Sequence, residues 1–179
     1  TNCVADFFLR PVGMVNVGAV NATHKGNLSA VLLNKFWDVV AVHNGIIENY
    51  VEIRDFLISK GYEFKSETDT EVVCQLMAYY YAECGDAFEA VFKVIHRVEG
   101  AYALGIICKD DPNRIIAARK DAPLLLGFGE GCNFIASDVT AIIKHTREVA
   151  YMEDGEVAVI PADGIQVYNA MEQPIEKEH

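Results

Sequence analysis

The segment His43-Asn44-Gly45 contains the residue types of an oxyanion hole. Asn44 offers a side-chain amide and Gly45 a backbone N–H that no side chain covers, and two such donors can bind the oxygen of a tetrahedral intermediate. A structural interpretation also stays open. An Asn-Gly pair after a β-branched and aromatic run is typical of a strand that leaves into a tight turn, and that is the more frequent meaning of the pair.

A second candidate is the acidic run 66–71, Ser-Glu-Thr-Asp-Thr-Glu. Thr68 and Glu71 have the spacing of a capping box, so the run predicts the start of a helix, where negative charge complements the helix dipole. In the alternative interpretation, one of its carboxylates points away from the helix and holds a substrate cation such as an α-ammonium group.

Hydrophobic periodicity predicts the elements that position these residues. One helix is expected at 50–60 and is ended by Gly61. A second is expected to begin at Thr68 and a third after the cap residue Asp86, and a short helix is expected at 139–145. Strands are expected at 36–42, 62–65, 101–108, 114–118, 123–127, 133–136, 148–152, 156–160 and 165–168. The first strands after Gly100 are apolar on consecutive residues, which indicates burial on both faces. The pattern therefore predicts an α+β sandwich with helices outside two stacked sheets.

Composition excludes several classes of protein. The chain has 179 residues, 51% of them hydrophobic, and a formal net charge of −11. Such a charge repels phosphate backbones and anionic lipid heads, so we expect neither nucleic acid nor membrane surfaces as partners. No apolar run approaches the ~18 residues of a membrane span, and no secretory signal is recognisable.

The five cysteines are scattered and form no CxxC pair. They predict neither a disulfide framework nor a zinc site, and reduced thiols without a signal predict a cytoplasmic protein. No phosphate-binding loop or metal-binding motif is present, so we expect no metal and no cofactor.

From Val42 onward the chain resembles the class II glutamine amidotransferase domain, an N-terminal-nucleophile hydrolase, in the form found in the glutamine–fructose-6-phosphate aminotransferase (glucosamine-6-phosphate synthase) family. The matching segments, in family order, are 42–50, 66–72, 100–104, 118–120, 123–124, 134–138 and 151–156. The resemblance covers 42–160, whereas 1–40 is divergent, and we interpret 1–179 as a single domain.

The resemblance implies a four-layer αββα sandwich, with incomplete N-terminal strands left open as a possibility. It also implies hydrolysis of glutamine to glutamate and ammonia, by a cysteine whose own α-amino group is the base. By resemblance the site residues are Cys3 as nucleophile, Asn44 and Gly45 as oxyanion hole, and Asp69, Thr23 and His24 as substrate-binding residues.

The N-terminal third departs from the family pattern. Cys3 follows Thr1 and Asn2, so it needs processing to gain a free α-amino group. Val20-Asn21 stand where the family has an Arg-Trp pair whose arginine clamps the glutamine α-carboxylate. We rank an inert terminus above Cys3 as nucleophile, and Cys3 above Thr1.

Two functional hypotheses therefore stay open. In the first, the chain is a glutaminase domain that supplies ammonia to fructose 6-phosphate on a separate isomerase (synthase) domain. In the second, it is a catalytically silent homologue that binds glutamine or a partner protein. A sheet edge left open by the short N-terminal third offers a route to a homodimer.

Overall fold

The computed structural model describes residues 6–10, 14–18, 32–33, 39–161 and 163–178, the first three segments as backbone only. Strands precede and follow a block of three helices. The early strands are β1 (Asp6–Arg10), β2 (Met14–Gly18), β3 (Leu32–Leu33) and β4 (Val39–Ile47). The helices are α1 (Tyr50–Ser59), α2 (Asp69–Cys84) and α3 (Ala87–Ile95). The later strands are β5 (Gly100–Cys108), β6 (Asp111–Lys120), β7 (Leu125–Gly129), β8 (Cys132–Ala136), β9 (Glu148–Tyr151), β10 (Val157–Pro161), β11 (Gln166–Tyr168) and β12 (Pro174–Ile175).

The strands form two sheets. The larger sheet has seven strands in the order β12-β11-β10-β6-β5-β4-β3, and the smaller has five in the order β2-β1-β8-β7-β9. Every strand pair in both sheets is antiparallel. The β4–β5 pair is the longest, running from Val39 opposite Cys108 to Ile47 opposite Gly100.

Three groups of buried side chains define the layers. One group joins α1, α2 and α3 to a single face of the seven-stranded sheet. A second joins the other face of that sheet to the five-stranded sheet, with Val42 and Ala103 on one side and Leu126 and Ile135 on the other. A third covers the outer face of the five-stranded sheet, where Ile142 packs with Phe134. The order is therefore helices, sheet, sheet and a thin outer layer.

The α+β sandwich predicted from the sequence is confirmed, and its fourth layer is reduced in the described residues. The predicted helix at 139–145 is a single 3₁₀ turn, Val139–Ala141, capped by Asp138 through the backbone N–H of Thr140. Ile142 is the residue of this segment that is completely buried. A short turn with one apolar anchor is enough to cover the sheet locally.

Helix starts follow the predicted caps. Asp86 accepts a hydrogen bond from the backbone N–H of Glu89 at the start of α3. Helix α1 ends at Ser59, and Gly61 adopts a φ of +87°, which favours glycine.

Among the described residues, no helix is long and apolar enough to cross a membrane.

Two local predictions are wrong. Residues 62–65 alternate like a strand but are not part of one in the structure. The backbone N–H of Tyr62 donates to the carbonyl oxygen of Leu57, and that of Lys65 donates to the Glu71 carboxylate of α2. The predicted turn at Asn44-Gly45 is also absent, since β4 continues to Ile47 and stays paired with β5. Alternation and turn residues do not reveal whether a partner strand is present.

Candidate functional site

Strand β4 carries the candidate oxyanion residues at its carboxyl end. Side chains alternate along it, with Ala41 in the core beneath the helices and Val42 in the core between the sheets. Continued alternation places His43 on the helix side and Asn44 on the side of the five-stranded sheet. His43 is buried, whereas Asn44 is partly accessible and Gly45 is exposed. The candidate donors therefore lie where the strand reaches solvent.

Two glycines fix the backbone at this end of the β4–β5 ladder. Gly45 has a φ of +131°, and a Cβ there would lie 2.0 Å from the carbonyl oxygen of Ala101. Gly100 has a φ of +111°, and its Cβ would lie 2.3 Å from the carbonyl oxygen of Ile46. Each position therefore requires glycine for two reasons, the positive φ and the close approach of the neighbouring strand. The pair holds the Gly45 peptide in one orientation.

The acidic run 66–71 begins helix α2, as predicted. Thr68 is the N-cap, and its side chain accepts a hydrogen bond from the backbone N–H of Glu71. The reciprocal half of a capping box is not formed, because the Glu71 carboxylate binds the backbone N–H groups of Lys65 and Ser66 and the Ser66 hydroxyl. Glu71 thus fastens the preceding loop to the helix.

Glu71 is buried and its environment favours the ionised form. Burial by itself would raise the pKa of this carboxyl group. The hydrogen bonds from the Ser66 side chain and from the Lys65 and Ser66 backbones outweigh that effect, so the pKa of Glu71 lies below its usual value. Glu71 is therefore the structural carboxylate of the run.

Asp69 is the carboxylate that reaches the end of β4. Its Oδ2 atom accepts a hydrogen bond of 3.0 Å from the backbone N–H of Ile47, two residues beyond Gly45. Its side chain is 25% exposed, so the carboxylate is accessible to a ligand, unlike that of the buried Glu71. As the first residue of α2, Asp69 also lies at the positive end of the helix dipole, where acidic side chains are favoured. The two interpretations of the run 66–71 therefore apply to different residues. Glu71 stabilises the start of the helix, whereas the Asp69 carboxylate is accessible to a substrate cation.

A buried imidazole lies behind Asp69. His43 Nδ1 is 3.2 Å from Thr70 Oγ1 and 3.9 Å from Asp69 Oδ1. The Thr70 hydroxyl is in turn 3.5 Å from Asp69 Oδ1. Burial lowers the pKa of His43, and the nearby Asp69 charge only partly opposes this, so the ring is neutral at neutral pH. His43 and Thr70 could not be recognised from the sequence as neighbours of Asp69, because their contact joins positions far apart in the chain.

Asn49 connects the end of strand β4 to the start of strand β5. Its side-chain amide donates to the carbonyl oxygen of Arg97, and its side-chain oxygen accepts from the backbone N–H of Glu99. The backbone N–H of Glu48 donates to the carbonyl oxygen of Glu99 as well. These bonds hold the loop after β4 against the loop before β5, which gives Asn49 a structural role.

Arg119 lies in the same row of the seven-stranded sheet as Asn44, because Asn44 pairs with Ala103 and Ala103 with Arg119. Its guanidinium is already bound, to the carbonyl oxygen of Met152 at 2.6 Å and to the carboxylate of Asp154 at 2.6 Å. Arg119 therefore fixes the 152–154 segment and does not act as a carboxylate clamp in this arrangement.

Of the predicted site residues, the structure brings Asn44, Gly45 and Asp69 to one end of β4. Cys3, Thr23 and His24 lie outside the described residues. Within 39–161 and 163–178, no group of three or more His, Cys, Asp or Glu side chains is placed to hold a metal ion.

Comparison with known proteins places this chain in a family. A sequence model of the glutamine amidotransferase domain matches residues 24–144. The glutamine–fructose-6-phosphate aminotransferase [isomerizing] of Clostridium perfringens is 50% identical over 146 residues, which are 82% of this chain and 24% of that protein. The enzyme of the same name from Caldanaerobacter subterraneus subsp. tengcongensis is 52% identical over 139 residues, 78% of this chain and 22% of that protein. The chain thus spans about a quarter of the length of these curated relatives.

Solved structures show the same fold at low identity. The glutamine phosphoribosylpyrophosphate amidotransferase of B. subtilis superimposes with a TM-score of 0.66 at 20% identity, over 84% of this chain and 33% of that one. An allosteric regulatory enzyme of purine biosynthesis gives a TM-score of 0.66 at 18% identity, over 94% of this chain and 43% of that one. The family match and the shared two-sheet architecture lead to one conclusion: this chain belongs to the glutamine amidotransferase domain family.

Proposed function

We propose that the chain hydrolyses the side-chain amide of glutamine to glutamate and ammonia. The observation that carries this proposal is the bond between Asp69 and the Ile47 backbone, because it ties an accessible carboxylate to the strand that holds Asn44 and Gly45. Along a strand, the two residues from Gly45 to Ile47 span about 6–7 Å. That separation suits an extended glutamine, whose α-ammonium would bind Asp69 while its amide reaches the oxyanion donors.

The reaction needs a nucleophile, for which we propose Cys3. Its thiolate attacks the amide carbon, and Asn44 and Gly45 stabilise the oxyanion. The carbon–nitrogen bond then breaks, and ammonia leaves with the proton that the α-amino group of Cys3, which removal of Thr1 and Asn2 would free, took from the thiol. Water hydrolyses the resulting thioester, so glutamine and water give glutamate and ammonia. Thr23 and His24 are proposed as further substrate-binding residues.

The proposed acceptor of the ammonia is fructose 6-phosphate on a separate isomerase domain. The support is the printed name of the relatives, glutamine–fructose-6-phosphate aminotransferase, of which this chain spans only about a quarter. In this proposal the described residues bind glutamine, and the sugar chemistry takes place on other parts of such an enzyme.

We also propose a cytoplasmic location and a homodimer. The cysteines described in the structure, Cys74, Cys84, Cys108 and Cys132, are all free thiols, as in a reducing compartment. Strand β9 forms an edge of the five-stranded sheet and carries the exposed Tyr151, which suits edge-to-edge pairing between two copies. Light scattering at several concentrations tests the homodimer, and a constant monomer mass contradicts it.

The test of the glutaminase proposal is glutamate release from glutamine, measured together with the intact mass of the same sample. Peptide mapping after reaction with a glutamine analogue that carries a diazoketone in place of the amide identifies the nucleophile. Release of glutamate with a label on Cys3 is the expected result. Absence of release with glutamine still bound would leave the silent homologue as the correct hypothesis.

A further inference from the structure

We propose that His43 is a positioning residue that orients the Asp69 carboxylate through the Thr70 hydroxyl, and so determines how tightly the α-ammonium of glutamine is held. This inference rests on the proposed function, because it assumes that Asp69 binds that ammonium. The hydrogen bond from the Ile47 backbone engages only one of the two Asp69 carboxylate oxygens, so the orientation of the carboxylate depends on a further contact.

The second carboxylate oxygen faces Thr70 and His43. Asp69 Oδ1 lies 3.5 Å from Thr70 Oγ1 and 3.9 Å from His43 Nδ1, and the imidazole nitrogen is 3.2 Å from the same hydroxyl. A hydroxyl can donate one hydrogen bond and accept another at once. An imidazole Nδ1–H that donates to Thr70 therefore leaves the Thr70 proton to point at the carboxylate.

The alternative tautomer of His43, with its proton on Nε2, is less favourable. With its proton on Nε2, His43 would accept from Thr70 at Nδ1 and draw the hydroxyl proton away from Asp69. The Nε2–H would then be a buried donor, and none of the described residues hydrogen-bonds to Nε2. Buried unpaired donors are rarer in proteins than buried unpaired acceptors, so the Nδ1–H form is favoured. The same form turns a positive N–H dipole toward the Asp69 charge.

Burial shields the His43 end of this arrangement from solvent. The His43 side chain is 2% exposed, and it sits on β4 directly before Asn44. The strand that presents the oxyanion donors on one face thus supports the ammonium-binding carboxylate from the other. Asp69 is held at Oδ2 by the Ile47 backbone and at Oδ1 by the Thr70 hydroxyl, which leaves the outer lone pairs to a ligand.

The test compares two ligands of the full chain by calorimetry, glutamine and glutaramate, which is glutamine without its α-amino group. The wild-type chain is expected to bind glutamine ~10–100-fold more tightly than glutaramate, because a charge-assisted hydrogen bond contributes a difference of that size. His43→Leu is expected to shrink that ratio about fivefold with the affinity for glutaramate nearly unchanged. A merely structural role would weaken both ligands equally, and that result overturns the proposal.

Conservative variants separate hydrogen bonding from packing. The His43→Asn side chain places an N–H donor where Nδ1 is, so this variant is expected to keep the ratio of glutamine to glutaramate affinity within about twofold of the wild type. His43→Gln places its amide near Nε2 instead, so it is expected to lose that ratio. Thr70→Ser keeps the hydroxyl and is expected to keep the ratio of glutamine to glutaramate affinity, whereas Thr70→Val lacks the hydroxyl and is expected to lose that ratio. The double variant of His43→Leu with Thr70→Val should be no worse than either single change, because both break one chain of bonds. Additive losses contradict that chain.

A measurement without any ligand separates this inference from the proposed function. Nitrogen-15 chemical shifts of the His43 ring report which nitrogen carries the proton. A proton on Nδ1 is expected, and a proton on Nε2 overturns the hydrogen-bond chain whether or not the protein turns over glutamine. If the ring has the expected tautomer and the wild-type chain binds no glutamine, the failure lies in the proposed function.

Discussion

Substitution of Gly45 by alanine is expected to destabilise the fold far more than the same substitution at Gly61. Both glycines have a positive φ, +131° for Gly45 and +87° for Gly61, and each is exposed. They differ in their surroundings. A Cβ at Gly61 meets no atom within 4 Å, whereas a Cβ at Gly45 meets the Ala101 carbonyl oxygen at 2.0 Å and its carbon at 2.8 Å. The pair therefore separates backbone strain from a steric clash.

The size of the difference follows from these contacts. A non-glycine residue at an unfavourable positive φ costs on the order of 1–3 kcal/mol, which is the whole effect expected at Gly61. At Gly45 the clashing atoms belong to the backbone of β5 and cannot rotate away, so relief requires the β4–β5 ladder to separate. Overpacking of this kind adds about 1–3 kcal/mol or more. Gly45→Ala should thus cost about 2–6 kcal/mol in total.

Urea denaturation followed by circular dichroism measures both variants against the wild-type chain. For Gly61→Ala we expect a small shift in midpoint, and for Gly45→Ala a shift at least twice as large, or failure to fold at 37 °C, since domains of this size are stable by only about 5–15 kcal/mol. Equal destabilisation of the two variants would refute the account of the close approach between Gly45 and β5.

Further predictions concern the site and the α2 start. Asn44→Ala should lower glutamate release by roughly 10²–10³ with little change in the affinity for glutamine, because an oxyanion donor acts in the transition state; equal loss in kcat and binding contradicts that role. Because the pKa of Glu71 is lowered in the folded state, its contribution to stability is present above the unfolded value near 4.5 and is lost as pH falls through the lowered folded value. Urea midpoints between pH 7 and 3 should therefore fall less for Glu71→Gln than for the wild-type chain, while the exposed control Glu67→Gln should follow the wild type. Thr68→Ala should cost about 0.5–2 kcal/mol, as loss of an N-cap does; an unchanged urea midpoint would show that the cap is dispensable.

Helices and caps were the most predictable part of the fold. Thr68 and Asp86 act through residues three positions away, so their roles can be predicted from the local sequence. Strand pairing is not local. The segment 62–65 alternates like a strand but is not part of one, and Asn44-Gly45 looks like a turn although β4 stays paired with β5 through it.

The candidate site could be predicted by combining residue types with the family resemblance. Asn44 and Gly45 were candidates from their residue types, the resemblance singled out Asp69 from the acidic run, and the structure brings all three to one end of β4. His43 and Thr70 were missed because their contact spans 27 positions and both residue types are common in protein cores. Periodicity showed that His43 is next to Asn44, but not that helix α2 starts directly beneath it.

The most direct test of the proposed function is calorimetric titration of glutamine into the wild-type chain and Asp69→Asn. The substitution keeps the size of the side chain and its acceptor toward the Ile47 backbone, so the fold should be unchanged. It removes the charge that would bind the α-ammonium, which should weaken glutamine binding ~10–100-fold, as the loss of a charge-assisted hydrogen bond does. The exposed neighbour Glu67→Gln serves as control and should bind glutamine like the wild type. Equal glutamine affinity in Asp69→Asn and the wild-type chain would contradict the assignment of Asp69, and with it the proposed site.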